Sequence, residues 1–320
     1  MHDISQMPSS RKAGVAVIGE LFADEIFAEF GALPKLGEEC FARKFKREVG
    51  GGAAITACSL AKLGVHVRVL GIVGSADGSW VVDRLASFGI DCSGLEVESD
   101  EPTGVTVSAS THEDRAFLTY YGANTHLAAL RRREDTARTL ASCRHVHFAC
   151  APETDTDSEL LATLRRRHST ISIDVQSHVS WLTRPESVNI LRQCDIFFPN
   201  EMEGAWVSSE VAPENILFRL KEKGLRGVGL KLGGKGAALL WKGRQFLSDP
   251  FPVKSLDTTG AGDCFDAGFI FGLLQGYSPQ RCLQVANICG ALSTRDLGGV
   301  AASPTLEELS ECERQLENAK

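Results

Sequence analysis

A turn of small residues that ends in an acid, residues 257–263, has the residue types and spacing to bind an anion and accept a proton. Gly260, Ala261 and Gly262 lead directly into a predicted helix over residues 262–275. The first N–H groups of a helix have no acceptor within the helix, and the helix macrodipole adds positive character there. Small side chains allow a phosphate to approach these amides closely. The turn therefore predicts an anion hole.

The acid of this turn is Asp263. The helix dipole favours its ionised form, so we expect the pKa of Asp263 to lie below the ordinary value of about 3.9. An ionised carboxylate can act as a general base, which is worth roughly 10²- to 10⁴-fold in rate. An acceptor hydroxyl on Asp263, with a phosphoryl group over the amides of residues 260–263, fits in-line phosphoryl transfer. A simple helix-capping role for Asp263 is the alternative.

The longer run DTTGAGDCFDAGF, residues 257–269, closely resembles the C-terminal signature of the ribokinase-like (PfkB) carbohydrate kinase family. The similarity extends over nearly the whole chain. It implies an ATP-dependent kinase that transfers the γ-phosphoryl group to a hydroxyl of a sugar or sugar-like small molecule. In this family Asp263 would be the general base, and Gly260, Ala261 and Gly262 would form the anion hole.

Two further segments resemble the family's motifs in the expected order. Gly50 and Gly51, with Leu63-Gly64 after them, resemble the diglycine segment that joins the lid to the body and contacts the substrate. Asn200 and Glu203 resemble the family's Asn-x-x-Glu motif, which implies that Glu203 positions Mg²⁺ through water while Asn200 lies beside ATP. A helix capping box is the alternative interpretation of this pair.

The nucleotide side of the site is indicated by the segment Lys231 to Gly236, which resembles the family's nucleotide-binding turn. The resemblance implies that Lys231, Gly233 and Gly236 contact ATP and that Asn287 lies beside the adenine. A plain hairpin turn is the alternative for residues 233–236.

A monovalent cation such as K⁺ is also implied by the resemblance, because many relatives use potassium to shape the anion hole. Asp257 and Thr259, with the carbonyl groups of residues 297–299, would hold it. A structural Asp-Thr turn without a cation is the alternative.

The acceptor side departs from the ribokinase pattern at three positions. The polar pair after the first strand is represented by Phe22 and Asp24, so only the acid remains. The Asn that follows the diglycine segment is Ile55, and the Glu after the strand at residues 146–149 is Cys150. Because a buried hydroxyl without a partner costs about 1–3 kcal/mol, ribose itself is disfavoured.

A second acceptor motif, residues 174–178, is similar to the Asp-x-Asn-x-Arg segment of ketodeoxygluconate kinase-like members. Gln176 and His178 replace its Asn and Arg, which weakens that assignment. The resemblance and these departures together give the expected substrate-binding residues, which are Asp24, Gly50, Gly51, Phe22, Ile55 and Gln176.

Two alternative functions are open at this point. A nucleoside kinase of the same fold could use Phe22, Tyr120 and Tyr121 as flat apolar surface for a nucleobase, although packing within the lid is the other interpretation of these rings. A non-catalytic ligand-binding sensor is the alternative from a different class, and the intact Asp263, with the Asn200–Glu203 motif, argues against it.

These residues require elements that bring them together. Short apolar runs near residues 15–18, 67–70, 146–149, 171–173, 195–198 and 228–230 alternate with helical segments. This alternation predicts an α/β fold with βαβ crossovers and a buried parallel sheet. The resemblance implies a ribokinase-like three-layer sandwich with a mostly parallel central sheet and a small β-sheet lid.

Two segments, residues 20–49 and 103–121, interrupt this alternation. The second predicts a β-hairpin that turns at residues 112–114. We expect both segments to form a lid inserted in one kinase domain, residues 13–320, which follows a disordered tail at residues 1–12. A small sheet with free edges is often covered by a second copy, so we also expect a homodimer through the lid.

Composition excludes several classes of partner. The formal net charge of −7 disfavours nucleic acid, because binding its phosphates normally needs clustered cations. No stretch approaches the roughly 20 apolar residues that span a bilayer, so we expect no membrane role.

The ten cysteines contain no Cys-x-x-Cys, so we expect reduced thiols in a cytoplasmic protein. The Gly-x-Gly-x-x-Gly motif of a dinucleotide oxidoreductase is missing after the first strand.

Overall fold

The computed structural model describes residues 14–111, 115–153 and 156–318. The predicted tail at residues 1–12 and the predicted turn at residues 112–114 lie outside this part of the chain. The strands are β1 (Val15–Gly19), β2 (Phe22–Ala28), β3 (Lys44–Gly50), β4 (Val67–Gly74), β5 (Asp91–Glu98), β6 (Gly104–Ser110), β7 (Arg115–Tyr120), β8 (His145–Ala149), β9 (Thr170–Asp174), β10 (Ile196–Phe197), β11 (Gly227–Lys231), β12 (Ala237–Trp241) and β13 (Arg244–Ser248).

In the described ranges, nine strands form a central sheet in the order β13-β12-β11-β10-β9-β8-β1-β4-β5. All neighbouring pairs from β11 to β5 are parallel, whereas β11–β12 and β12–β13 are antiparallel. Parallel neighbours end at the same edge of a sheet, so the loops after β1, β8, β9, β10 and β11 meet there. That edge is where most of the predicted site residues lie.

Helices cover both faces of the central sheet. Because successive side chains of a strand point to opposite faces, each strand contributes to two apolar layers, one on each side of the sheet. Val15 and Val17 of β1 join one apolar cluster, whereas Ala16 and Ile18 join the other. The helices are α1 (Gly51–Lys62), α2 (Gly78–Ala86), α3 (Leu127–Arg131), α4 (Glu134–Ala141), α5 (Asp157–Arg166), α6 (Val179–Leu182), α7 (Ser187–Leu191), α8 (Glu201–Ser208), α9 (Pro213–Glu222), α10 (Ala261–Leu274), α11 (Pro279–Ser293) and α12 (Leu306–Asn318). The predicted three-layer α/β sandwich is therefore confirmed.

The second sheet has the order β3-β2-β6-β7, in which β2 and β6 are parallel and the other pairs antiparallel. Its strands come from the two segments that interrupt the βα alternation. Only residues 20–21 separate β2 from β1, and β3 ends at Gly50, directly before α1. The junction between the two sheets therefore carries the diglycine segment, and it positions the acceptor side of the site.

Two expectations from composition can be compared with the structure. All ten cysteines are free, and most of them are buried, as predicted. Among the helices that the structure describes, none combines the length and apolar character that a bilayer-crossing segment needs.

Candidate active site

The anion-hole turn begins α10, with Gly260 as its N-cap residue in the left-handed region at φ 72°. A methyl group at Gly260 would lie 2.6 Å from the Cα of Gly299 and 3.0 Å from Ile55. Only glycine fits this position, because the backbone is left-handed and a neighbouring backbone lies so close. Ile55 was expected to contact the substrate. It is buried in α1, and its side chain packs against the turn at Gly260.

A carboxylate clamp holds this turn against the loop after α11. Asp257 Oδ1 accepts hydrogen bonds from Thr259 N at 2.9 Å and Thr259 Oγ1 at 2.7 Å, and Oδ2 accepts one from Gly298 N at 2.8 Å. Leu297 O, one of the carbonyl groups expected to bind a cation, accepts a hydrogen bond from Lys46 Nζ at 2.8 Å. The Asp257 carboxylate thus joins the Asp-Thr turn to Gly298 through hydrogen bonds within the protein.

Asp263 lies in the first turn of α10 and is only 9% exposed. Gln176 Nε2 donates a hydrogen bond to Asp263 Oδ1 at 2.9 Å. Gln176 has a φ of 55°, a conformation that is uncommon outside glycine and clusters at functional sites. Gly52 makes room for both groups, since a methyl group there would lie 2.1 Å from Gln176 Nε2 and 3.1 Å from Asp263 Oδ1. The carboxylate is thus held in one orientation.

The prediction that the helix dipole lowers the pKa of Asp263 is wrong. Burial, followed by the charge of Asp174, raises the pKa of Asp263 to about 7, although Lys231 and the bond from Gln176 oppose the rise. A helix dipole is worth about 0.3–1 kcal/mol, whereas burial can shift a pKa by several units. A base with a pKa near neutrality is well suited to proton transfer.

Lys231, predicted to contact ATP, ends β11 with its ammonium group against the anion hole. A methyl group at Gly262 would lie 3.2 Å from Lys231 Nζ. Nζ donates to Asp174 Oδ2 at 2.6 Å and to Asp266 Oδ1 at 3.5 Å. Burial acts to lower the pKa of Lys231, but the charges of Asp174, Asp266 and Glu203 raise it above its ordinary value. A positive charge therefore lies next to the predicted anion-hole turn.

Asp174 and Asp266 were not among the predicted site residues, although both lie inside motifs that the sequence shows. Asp174 ends β9, and burial acts to raise its pKa, but the charge of Lys231 and several hydrogen bonds hold that pKa below its ordinary value. Burial raises the pKa of Asp266 well above its ordinary value. Asp174 is thus the closer acidic partner of Lys231, and Asp266 is the more distant one.

Asn200 and Glu203 form a capping box at the start of α8. Asn200 Oδ1 accepts from Glu203 N at 2.9 Å, and Glu203 Oε2 accepts from Asn200 N at 2.8 Å. Burial and the charge of Asp174 raise the pKa of Glu203 to about 7. The alternative interpretation as a capping box is therefore correct for the local structure, and the same box aligns Glu203 near Asp174 and Lys231.

Three carboxylates of the site lie close enough together to contribute ligands to one metal ion. One oxygen each from Asp174, Asp263 and Asp266 lies within 4.8 Å of the others. Carboxylate oxygens suit Mg²⁺, which usually keeps several waters and binds one or two carboxylates together with phosphates. With Glu203 nearby, this donor set fits a magnesium ion that arrives with a nucleotide.

The nucleotide-side turn joins β11 to β12, so the alternative interpretation of a hairpin turn is correct for its backbone. Gly233 and Gly236 both have positive φ, and a methyl group at Gly236 would lie 2.2 Å from Ser248 O. Asn287 Nδ2 donates to Ser248 O at 3.2 Å and to Asp249 O at 3.1 Å. Asn287 thus fixes the segment after β13, which forms one wall of the predicted adenine position.

A cavity of about 420 Å³ lies between this segment and α11. Asn287 lines it, but most other lining residues on α11, such as Gln280, Arg281 and Gln284, lie nearer the helix start. The start of α11 is far from the anion hole, because Thr294, just after its end, contacts the backbone at Asp257. The cavity therefore meets the predicted nucleotide site only near Asn287.

Asp24 on β2 is the acid expected at the acceptor. Its carboxylate lies directly over Gly50, where a methyl group would be 2.1 Å from Asp24 Oδ1. Burial, then the charges of Asp263 and Glu48, raise the pKa of Asp24 to about 7. Gly51, at φ 83°, leaves space for Glu20 O and the Phe22 ring, both of which would lie within 3.0 Å of a methyl group at this position. The structure thus brings Asp24 and Asp263 to one pocket.

A polar cluster beside this pocket was missed by the sequence reasoning. His178 Nε2 lies 3.1 Å from both Glu20 Oε1 and the Tyr121 hydroxyl, and that hydroxyl donates to Glu20 Oε1 at 3.3 Å. The Tyr121 ring contacts Phe22 edge-on at 5.9 Å. The hydrogen bond to Glu20, together with its charge, raises the pKa of His178. The sequence drew attention to His178 and to Tyr121 separately, but gave no sign of Glu20 or of the contact between the three residues.

Cys150 replaces an expected polar residue and lies on a buried ion pair. Arg131 Nε donates to both oxygens of Asp157 at 2.9–3.1 Å, and Arg131 Nη1 lies 3.7 Å from Cys150 Sγ. Burial raises the pKa of the Cys150 thiol to about 12. Cys150 is therefore a neutral thiol, and the neighbouring Arg131 is paired with Asp157 through its Nε.

Comparison with known proteins adds independent evidence. Residues 12–306 match the family described as pfkB family carbohydrate kinase. The chain is 28% identical to 2-dehydro-3-deoxygluconokinase from Bacillus subtilis strain 168, over 93% of this chain and 95% of the relative. It is 26% identical to ribokinase from Haemophilus influenzae, over 93% of this chain and 97% of the relative.

A solved structure has the same fold. A protein assigned as ribokinase II from E. coli, in complex with ATP and Mg²⁺, superposes with a TM-score of 0.81 at 26% identity. The superposition covers 95% of this chain and 100% of the other. The similarity thus includes both sheets and the site edge of the central sheet.

We predict that Asp263 titrates near pH 7, as followed by the ¹³C shift of labelled aspartate carboxyls and assigned with Asp263→Asn. The variant Gln176→Met should raise this midpoint by about 0.5–1 pH unit, because it removes a hydrogen bond of roughly 0.5–1.5 kcal/mol to the ionised form. Gln193→Met, far from the site, is the control. A midpoint below 3.8 would restore the prediction that the helix dipole lowers the pKa of Asp263.

Proposed function

Since residues 12–306 match its profile, the chain belongs to the pfkB family of carbohydrate kinases, and we propose that Asp263 is the base in its phosphoryl transfer from ATP. The acceptor is a hydroxyl of a sugar or sugar-like small molecule. The observation that carries this proposal is the buried Asp263 carboxylate, oriented by Gln176 at the start of α10. Base and anion hole thus share one turn.

In the proposed reaction, the acceptor hydroxyl gives its proton to Asp263 and its oxygen attacks the γ-phosphorus of ATP. The bond between that phosphorus and the β,γ-bridging oxygen breaks, and ADP leaves. The amides of Gly262 and Asp263 at the start of α10 stabilise the charge on the transferring group, whereas the amide of Ala261 donates to Thr258 O at 3.3 Å and closes the turn. Asp24 and Gln176 position the acceptor, with Phe22, Gly50 and Gly51 forming the pocket wall.

Lys231 adds a fixed positive charge beside Gly262, close to where the phosphates would lie. The residues proposed to hold Mg²⁺ are Glu203, through water, and the carboxylates near Asp174. When bound with ATP, the ion neutralises phosphate charge. Asn200, Gly233, Gly236 and Asn287 are proposed to line the nucleotide site.

We predict that Asp263→Asn lowers kcat about 10²- to 10⁴-fold, because the amide cannot accept the proton. The affinity for ATP should change little, since the anion-hole amides remain. Turnover with ATP and Mg²⁺ over a panel of sugars and nucleosides, together with calorimetric ATP binding, measures both quantities.

Equal kcat for the wild type and Asp263→Asn would remove Asp263 from the mechanism. No phosphorylation of any panel member by the wild type would favour the ligand sensor. A nucleoside acceptor is the second candidate, supported by the edge-on contact of Phe22 and Tyr121 beside the pocket. It predicts that adenosine or inosine outcompetes the free sugars.

A monovalent cation such as K⁺ is proposed to bind beside Asp257 and Thr259, near the carbonyl groups of residues 297–299. The support is that the buried Asp257 carboxylate ties the anion-hole turn to Gly298, so a cation there would act on the turn. Carbonyl and carboxylate oxygens are suitable ligands. Lys46 Nζ, which donates to Leu297 O, is the alternative source of positive charge.

Replacing choline chloride with KCl at equal ionic strength should therefore raise kcat several-fold. If kcat is the same in both salts, K⁺ has no role. A reduced kcat in Lys46→Met would then assign the positive charge to Lys46 instead.

The small sheet is proposed to act as a lid and to pair with a second copy of the chain. Phe27, Phe45, Leu118 and Tyr120 lie on one face of this sheet and are exposed, and β3 and β7 are its edges. Exposed apolar faces and free edges favour coverage by a partner. Nucleic acid and membranes are not proposed as partners, and a cytoplasmic location is supported by the unpaired thiols.

Sedimentation at micromolar concentration should show a dimer for the wild type and a monomer for Leu118→Asp, which buries a charge in the interface. Leu118 is 75% exposed, and Val211→Asp, at a position that is 86% exposed on another surface, is the matched control. A monomeric wild type would contradict the proposal.

A further inference from the structure

Three carboxylates converge on the acceptor pocket. Asp263 and Asp24 are 9% and 7% exposed, and the Glu20 side chain is 13% exposed. Gln176 links Asp263 to the segment that carries His178, and His178 contacts Glu20. The Asp24 carboxylate lies over Gly50, while Gln176 and Asp263 lie over Gly52, two residues along the chain. The pocket wall therefore carries three acids beside Phe22, Gly50 and Gly51.

The cations that the structure describes near this pocket are already engaged by acids. His178 is held by Glu20, and Lys231 by Asp174 and Asp266. Farther out, Arg131 Nε binds Asp157, Arg84 binds both oxygens of Glu48, and Lys46 Nζ donates to the carbonyl oxygen of Leu297. An incoming anion would therefore have to break an existing ion pair to reach His178 or Lys231, the two cations that contact residues of the pocket.

Resting on the proposed function, we propose that the acceptor is an uncharged polyhydroxy compound and that the pocket rejects acceptors that carry a carboxylate or phosphate. Like charges repel strongly where water is largely excluded, and a buried anion without a partner is costly. Neutral hydroxyl groups, in contrast, can donate to the carboxylates of Glu20 and Asp24. Both hydrogen bonds from His178 and Tyr121 reach Glu20 Oε1, which leaves Oε2 to accept from a substrate hydroxyl.

Sequence identity does not distinguish a sugar acid from a neutral sugar as the acceptor of this chain. The B. subtilis relative is named for a sugar acid and the H. influenzae relative for a neutral sugar, at 28% and 26% identity. The ion pair of Glu20 with His178 favours the neutral class. Glu20 is thus a specificity-determining residue, and His178 and Tyr121 are positioning residues that act through it.

The test uses the neutral acceptor with the highest kcat/KM in the panel. It is compared with two analogues in which one CH₂OH group is replaced by a carboxylate or by the corresponding carboxamide. The amide matches the carboxylate in shape and lacks its charge. We expect the carboxylate analogue to have a kcat/KM at least about tenfold below that of the amide, with the gap narrowing as salt screens the repulsion.

Substitutions at Glu20 and His178 test whether the pocket causes the difference in kcat/KM between the amide and the carboxylate analogue. Glu20→Gln should reduce the amide-to-carboxylate ratio, and Glu20→Gln with His178→Arg should reduce it further by adding a free cation. Glu134→Gln, on exposed α4, removes a charge elsewhere and should leave the ratio unchanged. A ratio that stays the same in Glu20→Gln would remove Glu20 from this role.

The outcomes distinguish this inference from the function on which it rests. A carboxylate analogue that reacts as well as the amide would overturn the charge argument while the kinase assignment stands. A wild-type protein that binds ATP and phosphorylates no acceptor, neutral or anionic, would overturn the proposed function and the inference with it.

Discussion

The ion pair between Asp174 and Lys231 joins the elements that make the site. Asp174 ends β9, Lys231 ends β11, and Asp266 adds a contact from α10. Both charges are nearly excluded from water, so each depends on the other, and removal of one would leave an uncompensated buried charge. The same carboxylate accepts a hydrogen bond from Gln176 N at 2.7 Å, which sets the unusual backbone that directs Gln176 to Asp263.

This arrangement concentrates negative charge, and the chemistry of the site follows from it. Asp24, Glu203 and Asp263 all have pKa values raised to about 7, in each case first by burial and then by neighbouring acids. Lys231 opposes the rise at Asp263 and Glu203 and prevents a larger one. Nucleotide binding brings further negative charge, so Mg²⁺ and the amides of α10 are needed to balance it.

Several site residues perform a structural task that their motif also predicted as an alternative. Asn200 and Glu203 close a capping box, and residues 233–236 form a hairpin turn. Local geometry of this kind can be read from spacing, since it involves residues three or four apart. The contacts of Glu20 with Tyr121 and His178 could not, because they join residues separated by 101 and 158 positions.

The sequence by itself determined the βα alternation, the parallel sheet and the anion-hole turn at residues 260–263, since hydrophobic periodicity and turn chemistry are local properties. It did not reveal β5, β12 and β13, which lie at or near the sheet edges, where alternation is weaker. The charge state of Asp263 was decided only by tertiary structure. The sequence shows a helix N-terminus, which favours ionisation, but folding buries the carboxyl beside Asp174, and desolvation outweighs the dipole.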